Sequence, residues 1–208
     1  EDILDALCSE KGYSGRTAAI EDTMWFNSFE KVYRSFSHAR FIQASEIVGE
    51  LRKHKTAAEA DKMRKSSELA EKALGKVIPL IKAGMREYEV RDLLESEMKK
   101  QGISHPSFDT IVGSGPNSAL PHYTAGDRVL NAGDSVVIDF GGVYQSYYSD
   151  MTRTVMLGKA APKYREVYEI VKEAQRRAVE AVKPGIKASG IDAAARSYIT
   201  ERGYGEYF

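Results

Sequence analysis

Apolar residues recur at two different periods along this chain, and each period predicts its own kind of element. Between residues 56 and 81, Ala60, Met63, Ser67, Ala70, Leu74, Val77, Ile78 and Ile81 follow one another mostly at intervals of three and four. That spacing marks the core-facing stripe of an amphipathic helix. Just upstream, Thr56-Ala57-Ala58-Glu59 has the form of a capping box, in which a hydroxyl and a carboxylate satisfy each other's orphan backbone N–H groups. Pro79 predicts a kink in this helix and Gly84 its end. A second helix follows with Val90, Leu93, Leu94, Glu97 and Met98, ending near Gly102. From Phe108 to Leu157 the period shortens to that of strands: "FDTIV", "SVVIDF", "VYQSYYS" and "MTRTVML" are separated by Gly, Pro, Asn and Asp. Pro162 opens another helix, which turns Val167, Ile170, Val171, Ala174, Ala178 and Val182 inward until Lys183-Pro184-Gly185. Ser189 is read as the cap of a last helix carrying Ile191, Ala194, Tyr198 and Ile199.

Residues 1–53 are organised differently. "ILDALCSEKG" reads as a helix stopped by Gly12, "RTAAIED" as a strand, "TMWFNSFEKVYRSF" as a helix capped by Thr23, "ARFIQA" as a strand and "SEIVGELRKHK" as a short helix. Trp25, Phe26, Phe29, Tyr33 and Phe36 are expected to pack that middle helix onto a sheet. From residue 56 onward, two helices, several antiparallel strands and two more helices make an α+β arrangement. The charged junction "RKHKTAAEADK" sets the expected domain boundary, with one domain over 1–53 and a second over 54–208.

The 208 residues carry 30 Lys+Arg against 30 Asp+Glu, so no net field draws the protein to nucleic acid or to an acidic membrane. The one cysteine, Cys8, excludes an intrachain disulfide and reads as packing among Ile3, Leu4, Ala6 and Leu7. No apolar stretch reaches the roughly 18 residues that span a bilayer, and "EDILDAL" lacks a basic n-region. A soluble, cytoplasmic protein is the expectation.

Candidate chemistry begins with Asp139, an acid inside the otherwise apolar strand "GDSVVIDFGG". A carboxylate taken out of water must be paired, metal-bound or neutral. A second acid, Asp150, lies 150 − 139 = 11 positions on, in the following strand. If Gly141-Gly142 and the next residues fold the chain back, both carboxylates face one side of the sheet. Two close carboxylates repel, so one is protonated or a cation lies between them. A divalent metal pair satisfies that condition; so does a salt bridge to Arg128 or Arg153. His122, after the loop "SGPNSALP", is either a functional-loop histidine or a surface one. His38, His54 and His105 lack paired metal spacing and are read as surface residues. No HExxH, P-loop or GxSxG segment occurs, and "GSGPNS" lacks the strand–glycine–helix context that cradles phosphate.

Taken as an ordered set, "SGPNSALPHY", "VVIDFG" and "SDMTRTV" resemble the pita-bread metallopeptidases, in particular Xaa-Pro dipeptidases (prolidases) and Xaa-Pro aminopeptidases. Residues 56–105 are similar to the first two helices of that catalytic domain, and residues 1–53 to the latter part of the family's creatinase-like α/β N-terminal domain. The resemblance implies that 54–208 forms the N-terminal half of the catalytic domain. It further implies that Asp139 and Asp150 are the first two metal-ligand carboxylates, Asp150 bridging two ions. His122 would contact substrate and support the tetrahedral intermediate, Phe108 would shape the proline pocket, and Thr152 would orient the ligands or merely pack in its strand. Two divalent ions are implied, manganese first, with cobalt or zinc as options. The implied reaction is hydrolysis of the peptide bond before proline in a dipeptide or peptide, and the family is commonly homodimeric.

The family completes its site with a histidine in an HxxGHG segment and two later glutamates. The chain ends at "ERGYGEYF", about where that segment should begin, and it opens in mid-helix. The expectation is therefore an internal piece of a longer enzyme, inactive by itself. Two rival functions remain: a creatinase-type amidinohydrolase without metal, and a pita-bread binding module without catalysis. Retention of both Asp139 and Asp150 argues against each.

Overall fold

The structure, a computed structural model, describes residues 2–13, 15–36 and 39–208. His38 lies outside the described residues, and the side chain of Cys8 is likewise outside them, so neither reading is addressed. The chain divides into two compact units, residues 1–60 and 61–208, the division falling within a long helix.

In the first unit, α1 (Asp2–Lys11) stops at Gly12, whose φ of +63° is a conformation glycine adopts without a Cβ penalty. β1 (Thr17–Ile20) and β2 (Arg40–Gln43) run parallel, from Thr17 opposite Arg40 to Ile20 opposite Gln43. Parallel neighbours need a crossover, and α2 (Phe26–Ser35) supplies it. Phe29 and Tyr33 of α2 lie 5.5 and 5.8 Å from the Phe41 ring, which explains the aromatic pattern in that helix. Trp25 and Phe26 do not join them: each is 78% exposed. Thr23 is not the helix cap either, because its hydroxyl donates to Glu21 and the helix begins after Trp25. α3 (Ser45–Lys53) follows β2 as expected.

α4 (Ala57–Val77), which the division crosses, is opened by the predicted capping box: Thr56 N–H donates to Glu59 at 2.7 Å, and Glu59 N–H donates to the Thr56 hydroxyl at 3.3 Å. The buried stripe is Ser66, Ala70, Ala73, Leu74 and Val77. Met63 and Ile78, expected inward, are 37% and 40% exposed. Ala70, Ala73, Leu74 and Val77 join the main core, whereas Met63 and Ile78 lie outside it. Pro79 does not kink one helix running to Gly84. Lacking an N–H and clashing with the preceding turn, it ends α4 at Val77, and Ile78–Leu80 form a 3-10 turn. Gly84 instead donates its N–H to Leu130 at 2.9 Å.

α5 (Glu87–Lys100) buries Val90, Leu94 and Met98 against α4 and one face of a three-stranded antiparallel sheet. The strand order is β3 (Ile111–Ser114), β4 (Ser135–Phe140), β7 (Met151–Met156), with β4 in the centre. Phe108 to Thr110 stand ahead of β3 rather than in it. "VYQSYYS" forms two strands, β5 (Val143–Tyr144) and β6 (Tyr147–Tyr148), because Gln145 and Ser146 take φ of +48° and +68° and reverse the chain. α6 (Pro162–Ala181) and α7 (Ala188–Glu201) share a small second core of Ala174, Tyr198 and Ile199. Val171 of α6 and Val182, which follows its last residue, stay exposed. Lys187, not Ser189, is the α7 cap position; Ser189 already sits in the first turn. Among the described residues no helix is long and apolar enough to cross a membrane.

Phe140, at the inner end of β4, has no exposed surface. Phe140→Ala is expected to cost about 3–5 kcal/mol, read as a lower urea midpoint with an unchanged denaturant slope.

Candidate functional site

β4 alternates strictly. Val136, Ile138 and Phe140 point into the core, so Ser135, Val137 and Asp139 must point to the opposite face. In the antiparallel pairing with β7, Asp139 lies directly opposite Thr152, and the Thr152 hydroxyl donates to Asp139 Oδ1 at 2.5 Å. Asp150 precedes β7 by one residue and is in phase with Thr152. It therefore occupies the same face, one diagonal step from Asp139, a separation of about 7–8 Å between Cα atoms in ordinary antiparallel geometry. Asp139 is half-buried and Asp150 exposed. The arginines that could have neutralised this pair are engaged elsewhere: Arg128 holds Asp134 with Nη1 at 2.7 Å, and Arg153 reaches Glu71 at 3.3 Å.

The approach to Asp150 is held from the core side. Gly142 N–H donates to Ser149 Oγ at 3.0 Å, while buried Ser66 of α4 donates to the Gly142 carbonyl at 2.6 Å and touches Ser149 Oγ at 3.1 Å. A Cβ on Gly141 would lie 1.9 Å from the Ser149 carbonyl oxygen, so only glycine lets the chain cross there.

His122 is exposed, at the tip of a loop that starts with a 3-10 turn over Gly115–Ala119. That turn lies over the Asp139 face: Ser118 Oγ meets Ser135 Oγ at 2.9 Å, and a Cβ on Gly113 would be 2.8 Å from the Asn117 carbonyl oxygen. His122 does not join the two acids as a ligand cluster. Among the described residues, no three His, Cys, Asp or Glu side chains gather at metal-binding distances. Phe108 is half-buried in the segment entering β3, whose Ile111 is paired with Asp139. His54 and His105 are exposed, as their spacing predicts.

One residue essential to this arrangement escaped the sequence reading. Glu87, in the first turn of α5, is fully buried. Oε1 accepts from Ser114 N–H at 2.8 Å, from Ser114 Oγ at 2.7 Å and from Asn117 Nδ2 at 3.1 Å. Oε2 accepts from Tyr123 OH at 2.6 Å and from Gly126 N–H at 3.4 Å. Arg128 extends the network by donating to Ser114 Oγ while forming its paired bonds to Asp134. A signal was present in the sequence: Glu87 falls on the same helical stripe as Val90, Leu94 and Met98, where a charge has no place unless it is bonded. Removing one partner from a buried charge network costs about 3–5 kcal/mol.

Oxygen donors suit hard divalent ions. Asp139 and Asp150, with a hydroxyl orienting the first, thus offer oxygen donors of the kind a hard divalent ion takes.

An α+β unit with a helix-backed sheet and a carboxylate-bearing open face has the architecture of pita-bread peptidases. An X-Pro aminopeptidase from Thermotoga maritima superposes with a TM-score of 0.91 at 38% identity, covering 99% of this chain and 57% of the other. A prolidase from Pyrococcus furiosus superposes at 0.88 with 41% identity, covering 100% and 60%. The curated Xaa-Pro dipeptidase of Pyrococcus furiosus is 44% identical over 192 residues, which is 92% of this chain and 55% of that protein. The chain belongs to metallopeptidase family M24, whose model matches residues 61–208, and the family implies divalent metal cofactors. The chain spans about half the length of the curated relatives it matches.

Burial pushes the Glu87 carboxyl up, but hydrogen bonds from Tyr123, Ser114 and Asn117 outweigh it and hold the group below the ordinary carboxylate value of 4.5. As pH falls, the unfolded chain therefore takes up this proton before the folded one. The stabilisation is complete above pH 4.5 and is lost as pH drops through the depressed folded value. In urea unfolding from pH 7 to pH 3, the stability advantage of the native protein over Glu87→Gln is expected to shrink below pH 4.5. A pH-independent gap would contradict this account.

Proposed function

We propose that this chain forms part of a dinuclear metallopeptidase that hydrolyses the peptide bond preceding proline, in Xaa-Pro dipeptides or at the N-terminus of Xaa-Pro peptides. The observation that carries the reading is the in-phase placement of Asp139 and Asp150 on one sheet face, with the Thr152 hydroxyl on Asp139. Identity of 44% to a Xaa-Pro dipeptidase supports the substrate class.

In this reading residues 1–53 are the latter part of a creatinase-like N-terminal domain, and 54–208 the N-terminal half of the catalytic domain. Asp139 and Asp150 hold two divalent ions, manganese by preference, with the remaining ligands contributed by sequence outside these 208 residues. When bound, such ions polarise the scissile carbonyl and lower the pKa of the attacking water. Thr152 keeps the Asp139 carboxylate in one orientation by donating its proton to Oδ1. His122 donates a hydrogen bond to the oxygen that gains charge as the carbonyl carbon becomes tetrahedral. Phe108 offers an apolar wall for the proline ring. The working enzyme is a cytoplasmic homodimer that engages neither nucleic acid nor membrane.

Two tests follow from the carboxylate pair. In a full-length parent enzyme, Asp150→Asn should lower both Xaa-Pro cleavage and metal content steeply, since an amide bridges two cations poorly and leaves their charge uncompensated. Unchanged turnover with two tightly held ions per protomer would overturn the assignment. The 208-residue chain alone should show no manganese-dependent cleavage of an Xaa-Pro dipeptide, because two carboxylates leave each ion mostly water-coordinated. Robust turnover by the pure chain would refute that part.

A further inference from the structure

The loop that carries His122 has a different footing from the rest of the site. Asp139 and Thr152 are positioned by strand pairing, and Asp150 by the Ser66–Gly142–Ser149 bonds. His122 lies on an exposed loop, and no ladder reaches it. Ser118 ties its first turn to Ser135 of the sheet, and Tyr88 N–H donates to the Gly126 carbonyl at 3.2 Å, but the bonds on both sides of His122 converge on one buried carboxylate. Glu87 bonds it at its entrance through Ser114, on its first turn through Asn117, immediately after His122 through Tyr123, and at its exit through Gly126. The Tyr123 hydroxyl also accepts from Asn117 Nδ2 at 2.8 Å, which closes a ring of bonds across the two sides of the loop. All four anchors converge on a group with no exposed surface. The chain therefore cannot shift at Tyr123 without breaking a charge-assisted bond in a site closed to water.

We infer that Glu87 is a positioning residue of this enzyme, acting through Tyr123 and Asn117 to hold His122 at the reacting carbonyl. The inference rests on the substrate-contacting role proposed for His122. Five donor groups on one carboxylate exceed what is needed to satisfy it, and their distribution is the informative part. They are spread over the whole loop and leave its tip free, as a clamp for a working group would be. A mere structural staple would need only the Ser114 end, where β3 already stands.

Tyr123→Phe is the discriminating variant, because it removes one hydroxyl from the ring of bonds and keeps the aromatic body. In the full-length enzyme, at a temperature where the variant is fully folded, kcat on an Xaa-Pro dipeptide should fall about 10- to 100-fold with KM changed less than about threefold, the size of effect that a misplaced catalytic group produces. A structural role alone would lower the unfolding midpoint and leave kcat of the folded protein unchanged. His122→Ala combined with Tyr123→Phe tests the route of action. If Tyr123 acts through His122, the double variant is no slower than His122→Ala alone, whereas multiplicative losses overturn the inference. Hydrogen exchange in the metal-free protein gives a readout independent of activity. The amides of residues 115–126 should exchange faster in Tyr123→Phe while those of α4 do not, and unchanged exchange in the loop also overturns the inference. Failure of the functional reading shows separately, as full turnover by His122→Ala itself.

Discussion

The pairing of β4 between β3 and β7 is the constraint on which this molecule depends. A central antiparallel strand has two faces and no freedom to mix them. Three large apolar side chains, Val136, Ile138 and Phe140, commit one face to α4 and α5, and the other face then receives Asp139 with no further choice. The register with β7 carries the same division to Thr152 and, one step on, to Asp150. A slip of a single residue would bury Asp139 and expose Ile138, so the core enforces the site's geometry as strongly as it enforces the fold. Gly141, which no Cβ could occupy, and the hydroxyl pair of Ser66 and Ser149 keep the return strand from drifting.

A second, independent constraint governs the loop. Glu87 sits where the sheet ends and the alternation rule stops, and its hydrogen bonds do there what ladder bonds do within the sheet. The two devices differ in their sensitivity. Strand register is protected by many apolar contacts, and it changes little with pH. The Glu87 clamp is electrostatic and concentrated in one group, so its contribution is lost as pH falls through that group's depressed folded value. Hydrogen bonds from Tyr123, Ser114 and Asn117 make a buried carboxylate tolerable in this corner, and Arg128, paired with Asp134, donates in turn to Ser114.

Much of the architecture was legible in the residues. Helical period, the Thr56 capping box, Pro162 at a helix start and the turn residues around each strand all act over a few positions, and such local rules transfer directly to structure. The departures are equally physical. Thr23 and Ser189 are good cap types, but a cap is a position in backbone geometry, and Trp25 and Lys187 hold those positions. Pro79 was legible as a breaker, yet whether a helix bends or stops depends on what receives the chain next; here a 3-10 turn and the Gly84 bond to Leu130 receive it.

The sequence by itself determined the mixed helix–strand order, the alternation that sets Asp139 against its apolar neighbours, and a motif set consistent with family M24. The first two follow from period and spacing, which are properties of one dimension, and the third is a resemblance carried by the residues of the quoted segments. Only the tertiary structure decided that Asp139 meets Thr152 rather than an arginine, that Arg128 and Arg153 are spent on Asp134 and Glu71, and that Glu87 is the anchor of the loop. Each of those is a choice among partners far apart in the chain. Such choices rest on which groups share a dry corner once the core has closed, and spacing along the sequence carries no record of them.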